Sequence, residues 1–237
     1  MLSLVDRILE KIRANRISST EIADCLGKTG ALANVKPLNR GQHHVGPVFW
    51  AYAYNNSNWE VHEQLQNVPA GSVVVVETYN IEDRAVFGHL VSKYLLLYQG
   101  VRAIVINGLV RDAHLIIKDN FPVWCKGTTP IGCFNTPNEL PIPEEVRDGF
   151  ALRYDGSIAV CDDSGCVIVP GNDLNEELLQ KLDFIELQED MWYFCIDTRK
   201  WNTFQTVCLK EYLNDENLLP VEFLKRLQQV KSDKVKD

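Results

Sequence analysis

The stretch VRAIVINGLVRDAH, residues 101–114, sets an apolar run against Asn107-Gly108 and, three residues later, an adjacent Arg111-Asp112 pair. A short apolar run bounded by turn residues fits a buried strand, here 101–106, and the residues from about 112 to 118 fit the helix that follows. Upstream, SVVVVET (72–78) is a second run of this kind, and its four valines indicate burial on both faces, as in a parallel sheet. Between the two, AVFGHLVSKYLLLYQ (85–99) predicts a helix that is apolar nearly all round, enclosed by the protein or by a neighbouring subunit. Strand, helix, strand and helix at this spacing define an α/β protein with parallel strands and crossover helices.

Working outward, Val5, Ile8, Leu9 and Ile12 recur at i, i+3, i+4 and i+7 in MLSLVDRILEKIRANR (1–16), the stripe of an amphipathic helix. ISSTEIADCLGKTG (17–30) gives a second, short helix, with Ser18 or Ser19 as N-cap, Glu21 nearby and Gly27 or Gly30 as the stop. A strand over 48–54 and a capped helix within NSNWEVHEQLQ (56–66) lead into the valine run. Beyond Asn120 the pattern changes to a β-rich half of short strands and loops. There GFALRYDGSIAVCDDSGCVIVP (149–170) predicts strands separated by Asp155-Gly156 and Ser164-Gly165 turns. An α-rich tail follows Pro170, helical over about 173–184 and 220–230, with Trp192, Tyr193, Phe194, Trp201 and Phe204 between. The sequence contains no internal repeat.

Composition narrows the function classes. With 46% apolar and 24% charged residues among 237, the chain can bury a core and is not disordered as a whole. A net charge of -8, from 24 basic against 32 acidic residues, lacks the footprint of direct nucleic-acid binding. Charged residues interrupt the first sixteen positions, which excludes a signal peptide, and no apolar segment reaches the length that spans a membrane. A soluble cytoplasmic protein is expected. The seven cysteines contain no C-x-x-C and read as reduced thiols, and KSDKVKD (231–237) as a frayed, solvated end.

Ligands of parallel α/β sheets sit outside the carboxyl ends of strands, where NGLVRD (107–112) falls. Arg111 offers a planar fork for a carboxylate, and Asp112 a hard oxygen for Mg²⁺ or a metal-bound water. Side by side they can hold a 2-oxo acid. The same two residues also fit a helix cap and a surface ion pair. His43-His44 are neighbours on a strand and point to opposite faces, which argues against shared ligation. Asp162-Asp163 lie in a hairpin turn, flanked by Cys161 and Cys166 as cross-strand neighbours; Glu82 and Asp83 are loop carboxylates upstream of the pair.

TEIADCLGKTG (20–30), VGPVFWAYA (45–53), PAGSVVVVE (69–77), AVFGHL (85–90), GVRAIVINGLVRD (100–112), FPVWCKGTTPIG (121–132) and AVCDDSGCVIVP (159–170) follow one another in a recognisable order and spacing. In these segments the chain resembles the family of the regulator of ribonuclease activity A (RraA-like), which also contains the 4-hydroxy-4-methyl-2-oxoglutarate aldolases. The resemblance covers about residues 18–170. It implies a swivelling β/β/α domain over 1–170, N-terminal helices included, with 171–237 as an α-rich C-terminal extension. It also implies a homotrimer, sometimes a hexamer, with the site near the subunit interface.

Carried over by position, the resemblance makes Arg111 the group that binds the pyruvyl part of the substrate and Asp112 the holder of Mg²⁺ or Mn²⁺, partly through waters. It places backbone amides of Gly88, His89, Leu90 and Val91 on the substrate. The implied activity is a metal-dependent 2-oxo acid lyase. It would release pyruvate by retro-aldol cleavage of 4-hydroxy-4-methyl-2-oxoglutarate, by oxaloacetate decarboxylation, or both. One departure stands out: the lyases carry an acid directly after the glycine, where this chain has His89. An imidazole there can act as base or metal neighbour, or be a packed polar residue. Loss of the acid should weaken aldol cleavage more than decarboxylation, which deprotonates no hydroxyl. The alternative is a non-catalytic protein that binds a ribonuclease, as the regulator members do. A methyltransferase is disfavoured, because no glycine-rich loop follows an early strand to cradle an adenosyl cofactor.

Overall fold

Valines 73–76 and the run 103–106 form the two innermost strands of the sheet, and all eight residues are fully buried. The computed structural model describes residues 2–214 and 218–233. They fall into two units, Met1–Leu174 and Asn175–Asp237. Residues 234–237 of the expected solvated end lie outside the described residues.

In the first unit, helices α1 (Leu4–Asn15) and α2 (Ser19–Cys25) precede β1 (Lys36–Pro37), β2 (His44–Tyr54) and α3 (Trp59–Gln64). Next come β3 (Val73–Tyr79), β4 (Ala85–Phe87), α4 (His89–Lys93) with a π-helical turn at Tyr94–Tyr98, β5 (Ala103–Val110), α5 (Ala113–Lys118) and β6 (Val123–Thr128). Helix α6 (Glu144–Tyr154) and the hairpin β7 (Ile158–Asp162) and β8 (Gly165–Val169) complete it. The eight strands make one sheet in the order β1-β6-β5-β3-β2-β7-β8, with β4 added alongside β5. Pairs β2–β3, β3–β5, β5–β6 and β4–β5 are parallel; β1–β6, β2–β7 and β7–β8 are antiparallel.

Alternation along β3 and β5 divides the core. Val74, Val76, Ile104 and Ile106 face Leu65, Leu95 and Ile116, whereas Val73, Val75, Ala103 and Val105 face Trp124, Tyr154, Cys161 and Ile168. In the second unit, α7 (Glu176–Asp197) and α8 (Val221–Asp233) enclose a smaller core with Leu187, Met191, Cys195, Tyr212 and Leu227. Trp192, Phe194 and Trp201 pack against that core, while Tyr193 and Phe204 are exposed. No helix of the described residues is long and apolar enough to cross a membrane.

Three expectations are corrected. The segment 85–99 is not one helix: 85–87 extend as β4 beside the far end of β5, and helix begins only at His89. Of its apolar residues, Leu90, Tyr94, Leu97 and Tyr98 are exposed on the chain by itself, which leaves a neighbouring subunit as the element that would enclose them. Residues 149–154 lie in α6, because Tyr154 reaches the sheet from a helix, and the strands beyond Asn120 join the same sheet instead of forming a separate half.

Ser18 caps α2 with a full capping box to Glu21, and the DDSG turn closes the β7–β8 hairpin. Asp162 ties that hairpin to α2, accepting from the Ser19 amide at 2.6 Å, the Ser19 hydroxyl at 2.7 Å and the Ser164 amide at 2.8 Å. Among the described residues Asp163 accepts only from the exposed Gly41 amide. Cys161 and Cys166 are neighbours across the hairpin, sulfurs 3.3 Å apart. Asp162→Ala strands the buried Ser19 donors and should lower unfolding free energy by about 2–3 kcal/mol. Asp163→Ala should change it by no more than about 0.5 kcal/mol, a contrast read by urea denaturation.

Candidate active site

Asn107-Gly108 does not end the strand. The pairing of β5 with β6 shifts register between Ile106 and Leu109, so the dipeptide is an irregularity inside a strand that continues to Val110. Three bonds hold it. Asn107 donates its side-chain amide to Glu77 Oε2 at 2.6 Å, the Thr78 hydroxyl donates to the Asn107 carbonyl at 3.0 Å, and the Tyr154 hydroxyl donates to Glu77 Oε1. Glu77 is 4% exposed, with Arg153 3.8 Å away. Burial first, then the Glu77 charge, pushes the Tyr154 phenol upward, so it stays a donor. Gly108 must lack a side chain, because a Cβ there would lie 2.7 Å from Thr78 Cγ2.

Past the irregularity β5 loses β3 as partner and gains β4, through Ala85–Leu109 and Phe87–Val110. Arg111 then donates its amide to the Phe87 carbonyl at 3.1 Å. Asp112 adopts the left-handed conformation, φ 57° and ψ 30°, which Asp tolerates better than most residues. Its carbonyl accepts from Leu115 and Ile116, yet its carboxylate makes no capping bond to α5. The carboxylate instead crosses to the start of α4, where Oδ2 accepts from the His89 amide at 3.3 Å. The expected side-chain cap is therefore corrected: the backbone of Asp112 starts the helix and its side chain faces the neighbouring one.

Gly88 makes that crossing possible. A Cβ on it would collide with Asp112 Oδ2 and lie 2.8 Å from Arg111 Cγ. The Arg111 side chain, half exposed, has its Nε 3.8 Å from Asp112 Oδ2 and its Nη1 2.6 Å from where a Cβ of Gly132 would stand. Gly132 sits in a short bridge beside β4, with Ala85 donating to Ile131 and Cys133 to Ala85. Arg84 donates to the Gly132 carbonyl at 3.1 Å. Burial pushes the Cys133 thiol up to about 11, against the pull of Arg84 and Arg111, so it is no thiolate nucleophile at neutral pH.

Arg111, Asp112, Gly88 and the His89 backbone thus converge. The His89 ring does not join them: its Nε2 lies 2.7 Å from Asp119 Oδ2, and the ring stacks on Phe121 with centroids 5.3 Å apart. Asp112 and Asp119 cap opposite ends of α5, about 10 Å apart at helical rise. The imidazole therefore clamps α4 to the far end of α5. Leu90 and Val91 belong to the first turn of α4, whose amides have no intrahelical acceptor. His43 and His44 turn to different partners, the Ile17 carbonyl and Gln42. Cys133 and Arg84 carried no signal in the sequence, and Gly132 only closed a family-like segment, because a loop glycine or arginine acquires a site role only from the strand that folds beside it.

Among the described residues no three His, Cys, Asp or Glu side chains gather to hold a metal ion. Asp112 is one carboxylate, with Oδ1 taking no hydrogen bond from the described residues. Such a donor set fits hydrated Mg²⁺ or Mn²⁺, which keep waters and take one or two carboxylates plus substrate oxygens, and not a fully protein-bound zinc.

A parallel-centred sheet with an Arg-Asp turn at the carboxyl end of β5 defines the class, and the chain belongs to the RraA-like family, described as Aldolase/RraA, which matches residues 19–168. It is similar to "Protein DlpA" of Legionella pneumophila subsp. pneumophila, 26% identical over 192 residues that cover 76% of this chain and 30% of DlpA. The chain thus spans under a third of that relative's length. It is 30% identical over 176 residues, 70% of this chain and 78% of the relative, to the "Putative 4-hydroxy-4-methyl-2-oxoglutarate aldolase" of Halalkalibacterium halodurans. In structure it is similar to Streptomyces coelicolor RraAS2, described as an unusual member of the RNase ES inhibitor RraA protein family. The TM-score is 0.59 at 24% identity, covering 76% of this chain and 94% of that one.

Gly88→Ala forces Asp112 and the Arg111 backbone to move and should cost about 1–3 kcal/mol. Gly132→Ala meets only the flexible Arg111 head and should cost less than about 1 kcal/mol; thermal unfolding of the two variants checks the difference.

Proposed function

We propose that this protein is a divalent-metal-dependent 2-oxo acid lyase that releases pyruvate from oxaloacetate, from 4-hydroxy-4-methyl-2-oxoglutarate, or from both. The observation that carries the reading is the convergence of Arg111 and Asp112 over Gly88, with the first-turn amides of α4 beside them. Asp112 would hold Mg²⁺ or Mn²⁺ together with waters, and the bound ion would supply Lewis acidity toward the 2-oxo oxygen. Arg111 binds the carboxylate of the pyruvyl part and adds positive charge where the enolate develops on C–C cleavage. The Leu90 and Val91 amides orient the same group.

Because the His89 ring is engaged with Asp119, it is not turned toward the pair to take a hydroxyl proton. Decarboxylation needs no such step, so oxaloacetate is the better substrate of the two. The exposed Leu90, Tyr94, Leu97 and Tyr98 favour a homotrimer or hexamer that covers this face and brings the site near a subunit interface.

The assay is Mg²⁺- or Mn²⁺-stimulated pyruvate release by the purified chain. Asp112→Ala should abolish the stimulated rate, and Arg111→Ala should lower it by roughly 10²- to 10³-fold. Wild-type protein that metal does not stimulate on either substrate ends the lyase reading. Light scattering should give a trimer or hexamer mass for the wild type and a smaller species for Leu97→Asp.

A second reading, a non-catalytic partner of a ribonuclease, is favoured by His89 standing where the lyases carry an acid, and by the net charge of -8. It calls for capture of an endoribonuclease by this chain at low salt and for slowed RNA cleavage in its presence.

A further inference from the structure

Arg84 is a second cation beside the candidate site. Its guanidinium lies over the Phe134 ring at 4.4 Å, and Nη1 donates to the Gly132 carbonyl. Its Nε is buried with no hydrogen-bond partner. Among the described residues it forms no ion pair. A partly buried cation left without a counter-charge costs free energy that a fixed carboxylate would offset.

The same glycine joins Arg84 to Arg111. One guanidinium bonds to the Gly132 carbonyl, and the other occupies the space beside its Cα. Adding those contacts to three covalent bonds keeps the two heads within about 10 Å. Both cations also act on the Cys133 thiol next door. Carboxylate carbons of a four- or five-carbon diacid are roughly 4–5 Å apart by standard bond lengths. A charge-assisted bond of about 2.8 Å at each end then bridges the two arginines.

We infer that Arg84 determines specificity by binding the distal carboxylate of a 2-oxo dicarboxylic acid whose 2-oxo carboxylate end is on Arg111. This rests on the 2-oxo acid reading of Arg111. The aromatic face of Phe134 and the Gly132 carbonyl hold the Arg84 plane and leave Nη2 for the ligand. Such a site selects diacids over monoacids, because a monoacid leaves Arg84 as unpaired as before.

The test is equilibrium binding to the full chain in Mg²⁺, by calorimetry, of 2-oxoglutarate as a diacid and pyruvate as a monoacid. Wild-type protein should prefer 2-oxoglutarate by about 10-fold or more, and Arg84→Gln should remove that preference while leaving pyruvate affinity within about 2-fold. Arg84→Lys should keep part of it, as a point charge without the fork. Equal weakening of both ligands in Arg84→Gln would mean that Arg84 only supports Gly132 and Arg111, and would overturn the inference. So would a wild type that binds both ligands alike. A wild type that binds neither overturns the 2-oxo acid reading itself, an outcome distinct from lost discrimination. Where turnover is measurable, Arg84→Gln should raise KM for oxaloacetate with kcat nearly unchanged.

Discussion

One buried carboxylate fixes the geometry on which the site depends. Glu77, at the end of the central strand β3, takes hydrogen bonds from Asn107 and Tyr154 and so pins the point where β5 breaks register. Without those bonds the irregularity would have no reason to sit at Asn107-Gly108 and not elsewhere along the apolar run. The register beyond it decides where Arg111 and Asp112 emerge. The chemistry proposed for two half-exposed residues thus hangs on a polar cluster placed deep in the sheet, where an unmade bond is expensive.

Much of this fold could be read from local pattern. Valines 73–76 and the run 103–106 announce buried parallel strands because nothing polar interrupts them, and Ser18 with Glu21 announces its own cap. What could not be read depends on partners distant in sequence. Residues 85–87 look helical because their apolar neighbours continue for three turns, yet the exposed edge of β5 gives their backbone a better set of hydrogen bonds. Asn107-Gly108 looks like a strand end because the pair favours turns, and Glu77 and Thr78, distant in sequence, keep it inside the sheet. Tyr154 belongs to a helix with little apolar periodicity, so its burial was not visible beforehand. The Arg111-Asp112 pair was legible as a candidate; that its carboxylate faces Gly88 and not its own helix was not.

The electrostatic balance around the pair bears on both functional readings. Two arginines, Arg84 and Arg111, flank a single glycine, with the one carboxylate of Asp112 beside Arg111. A bound diacid corrects that balance, as would an acidic segment of a partner. The family contains both aldolases and ribonuclease regulators. A surface that presents two cations beside one carboxylate suits either purpose with few changes.

The change of partners along β5, from β3 to β4, separates the sheet into a foundation and a ledge. The foundation carries the valine core and tolerates little. The ledge is made of three residues of β4, the end of β5 and the bridge at Gly132, and it is joined to the foundation through the loop 80–84. Sequence change in that loop can retune the reach of Arg84 without disturbing the packed strands below. The same scaffold can thereby acquire new ligand preferences at little risk to its folding.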